Sequence, residues 1–111
     1  MLQQSSLLVT VTDDSFAATV LGNELPVVVD VWAEWCPPCH AISASLAELA
    51  EELTGRMVVA TLDADENPRT VRAYQVMSLP TLLVFRAGEL LSATVGSRPK
   101  SALRALLTAH L

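Results

Sequence analysis

Two short runs of apolar, mostly β-branched residues constrain the fold of this chain more than any other feature of its sequence. Residues 27–32 and 57–62 are almost uninterrupted apolar runs, which is typical of strands covered on both faces. Four apolar residues between them recur at the spacing of a helical stripe: Ile42, Leu46, Leu49 and Leu53. The stripe predicts an amphipathic helix that ends at Gly55. A strand, a helix and a second strand in this order predict parallel strands joined by a right-handed crossover.

The rest of the chain continues the alternation of strands and helices. The predicted strands are residues 7–11, 27–32, 57–62, 81–85 and 90–95, and the predicted helices are residues 16–21, 39–55, 68–74 and a last one that starts at 96–97. Asp13, Asp14 and Ser15 are candidates for the N-cap of the first helix. The last two strands flank a turn at residues 86–89 and predict an antiparallel hairpin. We therefore predict an α/β fold in which helices cover both faces of a central mixed five-stranded sheet.

Size and composition indicate one folded domain. The 111 residues fit a single domain, which we take as residues 1–111 with a tail at 1–6. Apolar residues make up 51% of the chain and charged residues 17%, which excludes a disordered protein. The net charge of −5 argues against a nucleic-acid-binding protein, which needs a basic surface. No apolar stretch approaches the roughly 18 residues of a membrane helix, so we predict no membrane partner. For a small domain of this kind we also predict a monomer.

The first residues favour the cytoplasm. Residues 1–6 contain no Lys or Arg, and the apolar run 7–11 is short and interrupted by Thr10. A secretory signal peptide needs a basic start and a longer apolar segment. We therefore expect a cytoplasmic protein, in a compartment where thiols are kept reduced.

Both cysteines of the chain lie in one tetrapeptide, Cys36-Pro37-Pro38-Cys39, between a buried strand and an amphipathic helix. A thiol at a helix N-terminus is stabilised as a thiolate by free N–H groups and the helix dipole. Cys39, on the same side of the helix and one turn deeper, can attack Cys36 and release a bound substrate. Prolines are tolerated in the first turn because their missing N–H groups have no partner there. The arrangement predicts a redox-active pair with Cys36 as the nucleophile.

Two other interpretations of the cysteine pair are less favourable. A Cys-x-x-Cys pair is also half of a four-ligand zinc site, but the chain offers only His40 and His110 as further soft ligands. His40 directly follows Cys39, and His110 is one residue from the end, so we predict no metal site. A purely structural disulfide is unfavourable because closing so small a loop removes little chain entropy.

Three segments of the chain resemble the thioredoxin family. Residues 29–39, with the sequence VDVWAEWCPPC, resemble its active-site segment. Residues 79–82, Leu-Pro-Thr-Leu, are similar to its proline loop, and Val95-Gly96 to its last glycine turn. The predicted order of strands and helices agrees as well, so the resemblance covers residues 7–111.

The resemblance implies a thioredoxin fold and a set of roles. Cys36 is then the exposed nucleophile, and Cys39 is the buried thiol that resolves the mixed disulfide. Asp30 matches a buried acid beneath the pair that takes the proton of Cys39, the alternative being a hydrogen-bonded structural acid. Trp32 is expected to pack under the site. A shallow apolar groove that binds an extended substrate segment is expected from Trp35, Ser78, Leu79, Pro80, Val95 and Gly96, with Pro80 in the cis form and Leu79 offering its backbone.

Several positions depart from the family pattern. Pro37 stands where a glycine is usual, which removes an N–H near the thiolate and stiffens the loop, while Pro38 is retained. His40 replaces a Lys or Arg and adds a pH-dependent charge. Thr61 replaces a Lys that pairs with the buried acid, so we expect the pKa of Asp30 to be more strongly raised. Ser78 replaces a glycine and narrows the groove.

These features predict a protein dithiol–disulfide oxidoreductase that reduces substrate disulfides through a mixed disulfide. The resemblance implies no bound cofactor, electrons from NADPH through a thioredoxin reductase, and disulfide-containing proteins as substrates. One alternative is a specialised, less reducing oxidoreductase or isomerase, because Pro37 and His40 alter the site. Another is a binding module with incidental thiols, because fold alone does not fix function.

Overall fold

The computed structural model describes residues 7–111, and within them five strands and four helices follow one another in the predicted order. The predicted tail, residues 1–6, lies outside the described residues. The elements are β1 (Leu8–Thr10), α1 (Ala17–Leu21), β2 (Val27–Trp32), α2 (Pro37–Glu52), β3 (Val58–Asp63), α3 (Pro68–Ala73), β4 (Thr81–Arg86), β5 (Glu89–Val95) and α4 (Lys100–Thr108). The short α1 is a π-helical turn, in which the N–H of Gly22 donates to the carbonyl of Ala17 at 2.9 Å.

The sheet is mixed and has the strand order β1-β3-β2-β4-β5. β1, β3 and β2 run parallel, whereas β4 is antiparallel to β2 and β5 is antiparallel to β4. The helix α2 is the crossover between β2 and β3, as the apolar runs predict. This arrangement confirms the predicted mixed five-stranded sheet with an antiparallel hairpin at its edge.

Helices cover both faces of the sheet. On one face, Val28, Val59 and Leu82 pack against the apolar sides of α2 and α4. On the other face, Val29 and Leu83 pack against residues of α1 and α3 and their flanking turns. The central strand β2 is therefore buried on both faces up to Trp32, and its carboxyl end lies where α2 begins.

The N-cap prediction for the first helix is wrong for Asp13, Asp14 and Ser15, because the N-cap residue of α1 is Phe16 and no side chain among residues 7–111 caps this helix. Asp13 caps a different helix. Its carboxylate instead accepts hydrogen bonds at the start of α3, from the N–H groups of Thr70 at 2.8 Å and Arg69 at 3.1 Å. The turn before α1 is closed by Thr12, whose Oγ1 accepts from the N–H of Ser15 at 3.2 Å. Asp13 therefore ties two distant segments together, because α3 begins with N–H groups that lack partners inside the helix.

Candidate active site

Cys36 is the N-cap residue of α2, and Pro37 and Pro38 fill the first turn. Its backbone is extended, with φ −106° and ψ 100°, and its Sγ accepts a hydrogen bond from the N–H of Cys39 at 3.3 Å. The two cysteines form a disulfide with their Cα atoms 5.3 Å apart. The disulfide therefore lies at the positive end of the helix dipole, as the sequence predicts.

The expectation that Cys36 is exposed is wrong for the disulfide form. Cys36 and Cys39 are equally buried, each with 3% of its surface accessible. Ala33, Trp32 and Leu79 pack around them, and the sulfur of Cys36 is turned toward Cys39 by the bond between them. The expected contact of Trp32 under the site is confirmed, whereas the contrast in exposure between the two thiols is absent.

The segment that contains Pro80 lies against the disulfide. The Leu79–Pro80 peptide bond is cis, which confirms that expectation, and the half-buried Leu79 side chain packs on the cysteines. The carbonyl of Pro80 accepts a hydrogen bond from the N–H of Gly96 at 2.9 Å. Val95 is the register partner of Thr81. The fold therefore brings residues 78–80 next to residues 95–96, although they are distant in sequence.

Several apolar side chains in the segments around Cys36, Pro80 and Gly96 are exposed. Trp35, which directly precedes Cys36, has 67% of its surface accessible, and Val95 has 53%. The indole Nε1 of Trp35 donates to Asp65 Oδ2 at 2.8 Å, which orients the ring. Met77, one residue before Ser78, is 92% exposed and is an apolar surface residue that the sequence analysis did not single out. The sequence could have pointed to this residue, because Met77 is an apolar residue in the loop that leads to Pro80.

Asp30 lies in the middle of β2, with only 4% of its surface accessible. Its Oδ1 has no hydrogen-bond partner within residues 7–111. Thr61 is its register partner on β3 and supplies no positive charge. Burial in this apolar setting raises the pKa of Asp30 to about 7, as expected without a paired lysine.

A pocket of about 220 Å³ adjoins both Asp30 and Cys39. His40 lies at this pocket, and its Nε2 is 2.7 Å from the carbonyl oxygen of Glu34. The His40 ring also meets the Trp32 indole edge to face, with ring centroids 6.1 Å apart. The sequence did not predict this pocket, which forms because β2, β3 and the start of α2 converge there.

Two further observations concern the part of the chain that the structure describes. Among residues 7–111, no three His, Cys, Asp or Glu side chains are grouped so that they could hold a metal ion. In that same range, every helix is too short or too polar to cross a bilayer.

A cysteine pair that closes at a helix start, with an ionisable acid beneath it, exchanges disulfides with other thiols. This fold and site define a thiol–disulfide oxidoreductase. The family model described as thioredoxin matches residues 7–109. The chain belongs to the thioredoxin family.

Individual thioredoxins are similar over almost their whole length. The chain is 48% identical over 99 residues to a thioredoxin of Streptomyces clavuligerus, covering 89% of this chain and 92% of that protein. It is 45% identical over 107 residues to a thioredoxin of Acidithiobacillus ferridurans, and the match covers 96% of this chain and 99% of that protein. For a thioredoxin of Synechocystis the identity is 41% over 101 residues, and the match covers 91% of this chain and 94% of that protein.

Proposed function

We propose that this thiol–disulfide oxidoreductase works as a general reductase of protein disulfides. The observation that carries the proposal is the placement of Cys36 at the N-cap of α2, with Cys39 one turn on and Asp30 at the same pocket. The thiolate of Cys36 attacks a substrate disulfide, forming a mixed disulfide and releasing the first substrate thiolate. Cys39 gives its proton to the Asp30 carboxylate and attacks the Cys36 sulfur, which releases the second substrate thiolate. Two electrons pass to the substrate, and the enzyme is left with the Cys36–Cys39 disulfide.

The hydrogen bonds at Cys36 support the reducing direction over the less reducing alternative. Pro37 and Pro38 have no N–H, so the only N–H that bonds to Cys36 Sγ within residues 7–111 belongs to Cys39. A strongly stabilised thiolate favours the reduced form and makes a pair oxidising. A Cys36 thiolate with few donors leaves the reduced form less stable, which makes the pair a better electron donor.

The substrate groove is proposed to consist of Trp35, Ser78, Leu79, Pro80, Val95 and Gly96. The main-chain N–H and C=O of Leu79 make no hydrogen bond to other residues in the range 7–111. Such groups pair with an extended peptide in the manner of strand addition. The exposed rings and methyl groups of Trp35 and Val95 then contact the side chains that flank the substrate cysteine.

The partners follow from the reaction. We infer that disulfide-containing proteins are the substrates and that a thioredoxin reductase restores the dithiol with electrons from NADPH. Such a cycle needs a compartment in which thiols are kept reduced, so we place it in the cytoplasm. Residues 1–111 are proposed to act as one domain and as a monomer without a bound cofactor.

Trapping of substrates tests this function. In Cys39→Ser, the mixed disulfide on Cys36 cannot be resolved, so proteins should accumulate covalently on this variant. In the matched Cys36→Ser variant, none should accumulate. The unaltered protein should reduce a protein disulfide continuously when NADPH and a thioredoxin reductase are present, and only once per molecule without them. Equal trapping by both variants, or no turnover with the reductase, would contradict the proposal.

A further inference from the structure

The pocket beside Asp30 and Cys39 has a composition that disulfide exchange does not require. Its other lining residues are Trp32, Glu34, His40, Ser43 and Thr61. Its volume of about 220 Å³ is several times the roughly 30 Å³ that one water occupies in the liquid. The pocket is therefore large enough for a small organic group.

Asp30 gives this pocket a buried negative charge without a partner. Its Oδ1 accepts no hydrogen bond within residues 7–111, although the residue is almost completely buried. Buried carboxylates are costly unless donors or a cation compensate them. No Lys or Arg of the described residues lines the pocket. The basic side chain at its wall is His40, and its Nε2 already donates to the carbonyl of Glu34.

The remaining walls suit an organic cation. Trp32 supplies an aromatic ring, the side chain with the strongest cation–π attraction. Ser43 Oγ donates to the carbonyl of His40 at 2.9 Å, which leaves its lone pairs as acceptors, and Thr61 adds a second hydroxyl. Glu34 is exposed and adds another carboxylate. An aromatic ring, a buried carboxylate and hydroxyl acceptors together match the donors and the charge of an ammonium group.

We propose that this pocket binds a primary ammonium group, which pairs with the Asp30 carboxylate at the pocket wall while its alkyl stem lies against Trp32. The group belongs either to a small free amine or to a lysine side chain of a partner protein. Binding does not depend on the part that Asp30 plays in disulfide exchange, so it is tested on the oxidised protein. By linkage, a bound ammonium favours the ionised carboxylate and lowers the pKa of Asp30.

Carbon-13 NMR of the Asp30 carboxyl, with methylammonium chloride added to the oxidised protein in phosphate buffer, tests the proposal. We expect a saturable shift that sodium chloride at the same ionic strength does not produce. Because the pKa of Asp30 is about 7, its ionised fraction falls from about nine-tenths at pH 8 to about one-tenth at pH 6. The apparent affinity should therefore fall about tenfold between these pH values. Glu34 and His40 are the other ionisable groups at the pocket besides the disulfide-bonded Cys39, and His40→Gln should keep most of this pH dependence.

Two variants and a peptide complete the test. Thr61→Lys supplies an ammonium from within the chain, so it should abolish the response and lower the pKa of Asp30. The uncharged Thr61→Met should block the response without lowering that pKa. A lysine peptide that displaces methylammonium, when its norleucine counterpart does not, assigns the site to a partner's side chain. Failure of both peptides to displace methylammonium assigns the site to a free amine, and equal displacement by both would count against recognition of the charge. An equal response to sodium chloride, an affinity independent of pH, or an unchanged Asp30 pKa in Thr61→Lys would overturn the proposal.

Discussion

The carboxyl group of Asp30 makes the stability of this protein depend on pH. Its pKa is about 7 in the folded chain against 3.8 for the free side chain, because burial penalises the charged form. The folded state therefore holds its proton to higher pH, and stability falls as pH rises from about 4 to about 7. Above pH 7, burial of the ionised carboxylate lowers the free energy of unfolding by an amount on the order of 4 kcal/mol, since each pKa unit corresponds to about 1.4 kcal/mol.

Asp30→Asn should therefore stabilise the protein at high pH. The amide keeps the shape of the protonated acid and is never charged, so the free energy of unfolding at pH 8 should rise by up to about 4 kcal/mol. At pH 4 the gain should nearly vanish, because the native carboxyl is then protonated. Urea unfolding of both proteins at the two pH values measures this difference, and an equal gain at both would show that Asp30 is not a buried ionised group.

The same substitution should slow the resolving step. The introduced amide cannot accept the proton of Cys39, and general-base assistance typically contributes about 10²–10⁴-fold. We expect release of reduced substrate from the mixed disulfide to slow by about 100-fold at pH 7 and to recover above about pH 9, where a thiol ionises unaided. Stopped-flow measurement of that release provides the test. Attack by Cys36, followed in the Cys39→Ser background, serves as the control and should change little.

The start of α2 could be predicted from the sequence, whereas the side chain that caps α3 could not. The beginning of α2 was predictable, because an apolar stripe follows the two prolines of the cysteine motif. The cap of α3 was not, because Asp13 lies more than fifty residues away and its carboxylate reaches Thr70 only through the tertiary fold. Local residue patterns report local hydrogen bonds, so a cap supplied by another segment leaves no signature beside the helix.

Removal of this distant cap should weaken the protein. Burial raises the pKa of Asp13, but the hydrogen bonds from Thr70 and Arg69 outweigh it and leave the pKa lowered. Asp13→Ala should therefore lower the melting temperature by several degrees at pH 7. The effect should fade as the pH falls from the usual carboxyl pKa to below the lowered pKa of Asp13 in the folded chain, where the native carboxyl is protonated too. Differential scanning calorimetry tests this, with the largely exposed Asp14→Ala as matched control; an equal loss in both variants would contradict a capping role.

At the scale of the whole molecule, the alternation of apolar runs and helical stripes determined the topology. Strands β2 and β3 had to be parallel because a helix joins them, and the short turn at residues 86–89 made β4 and β5 antiparallel. The candidate site residues were also named from the sequence, Cys36 and Cys39 by their place between a strand and a helix and Asp30 by the resemblance to the thioredoxin family. The burial of Cys36 and the pocket at Asp30 could not be predicted from the sequence, because they depend on how the 78–80 loop and α2 pack over the sheet.

The reduction potential of the Cys36–Cys39 pair tests the central claim most directly. A reductase of protein disulfides must hold a potential below that of the glutathione pool, which is poised at about −220 to −260 mV in the cytosol. In a glutathione buffer poised at about −220 mV, alkylation and mass spectrometry should find the pair predominantly as the disulfide. A pair that is predominantly dithiol in that buffer would contradict the reductase assignment and favour a less reducing oxidoreductase.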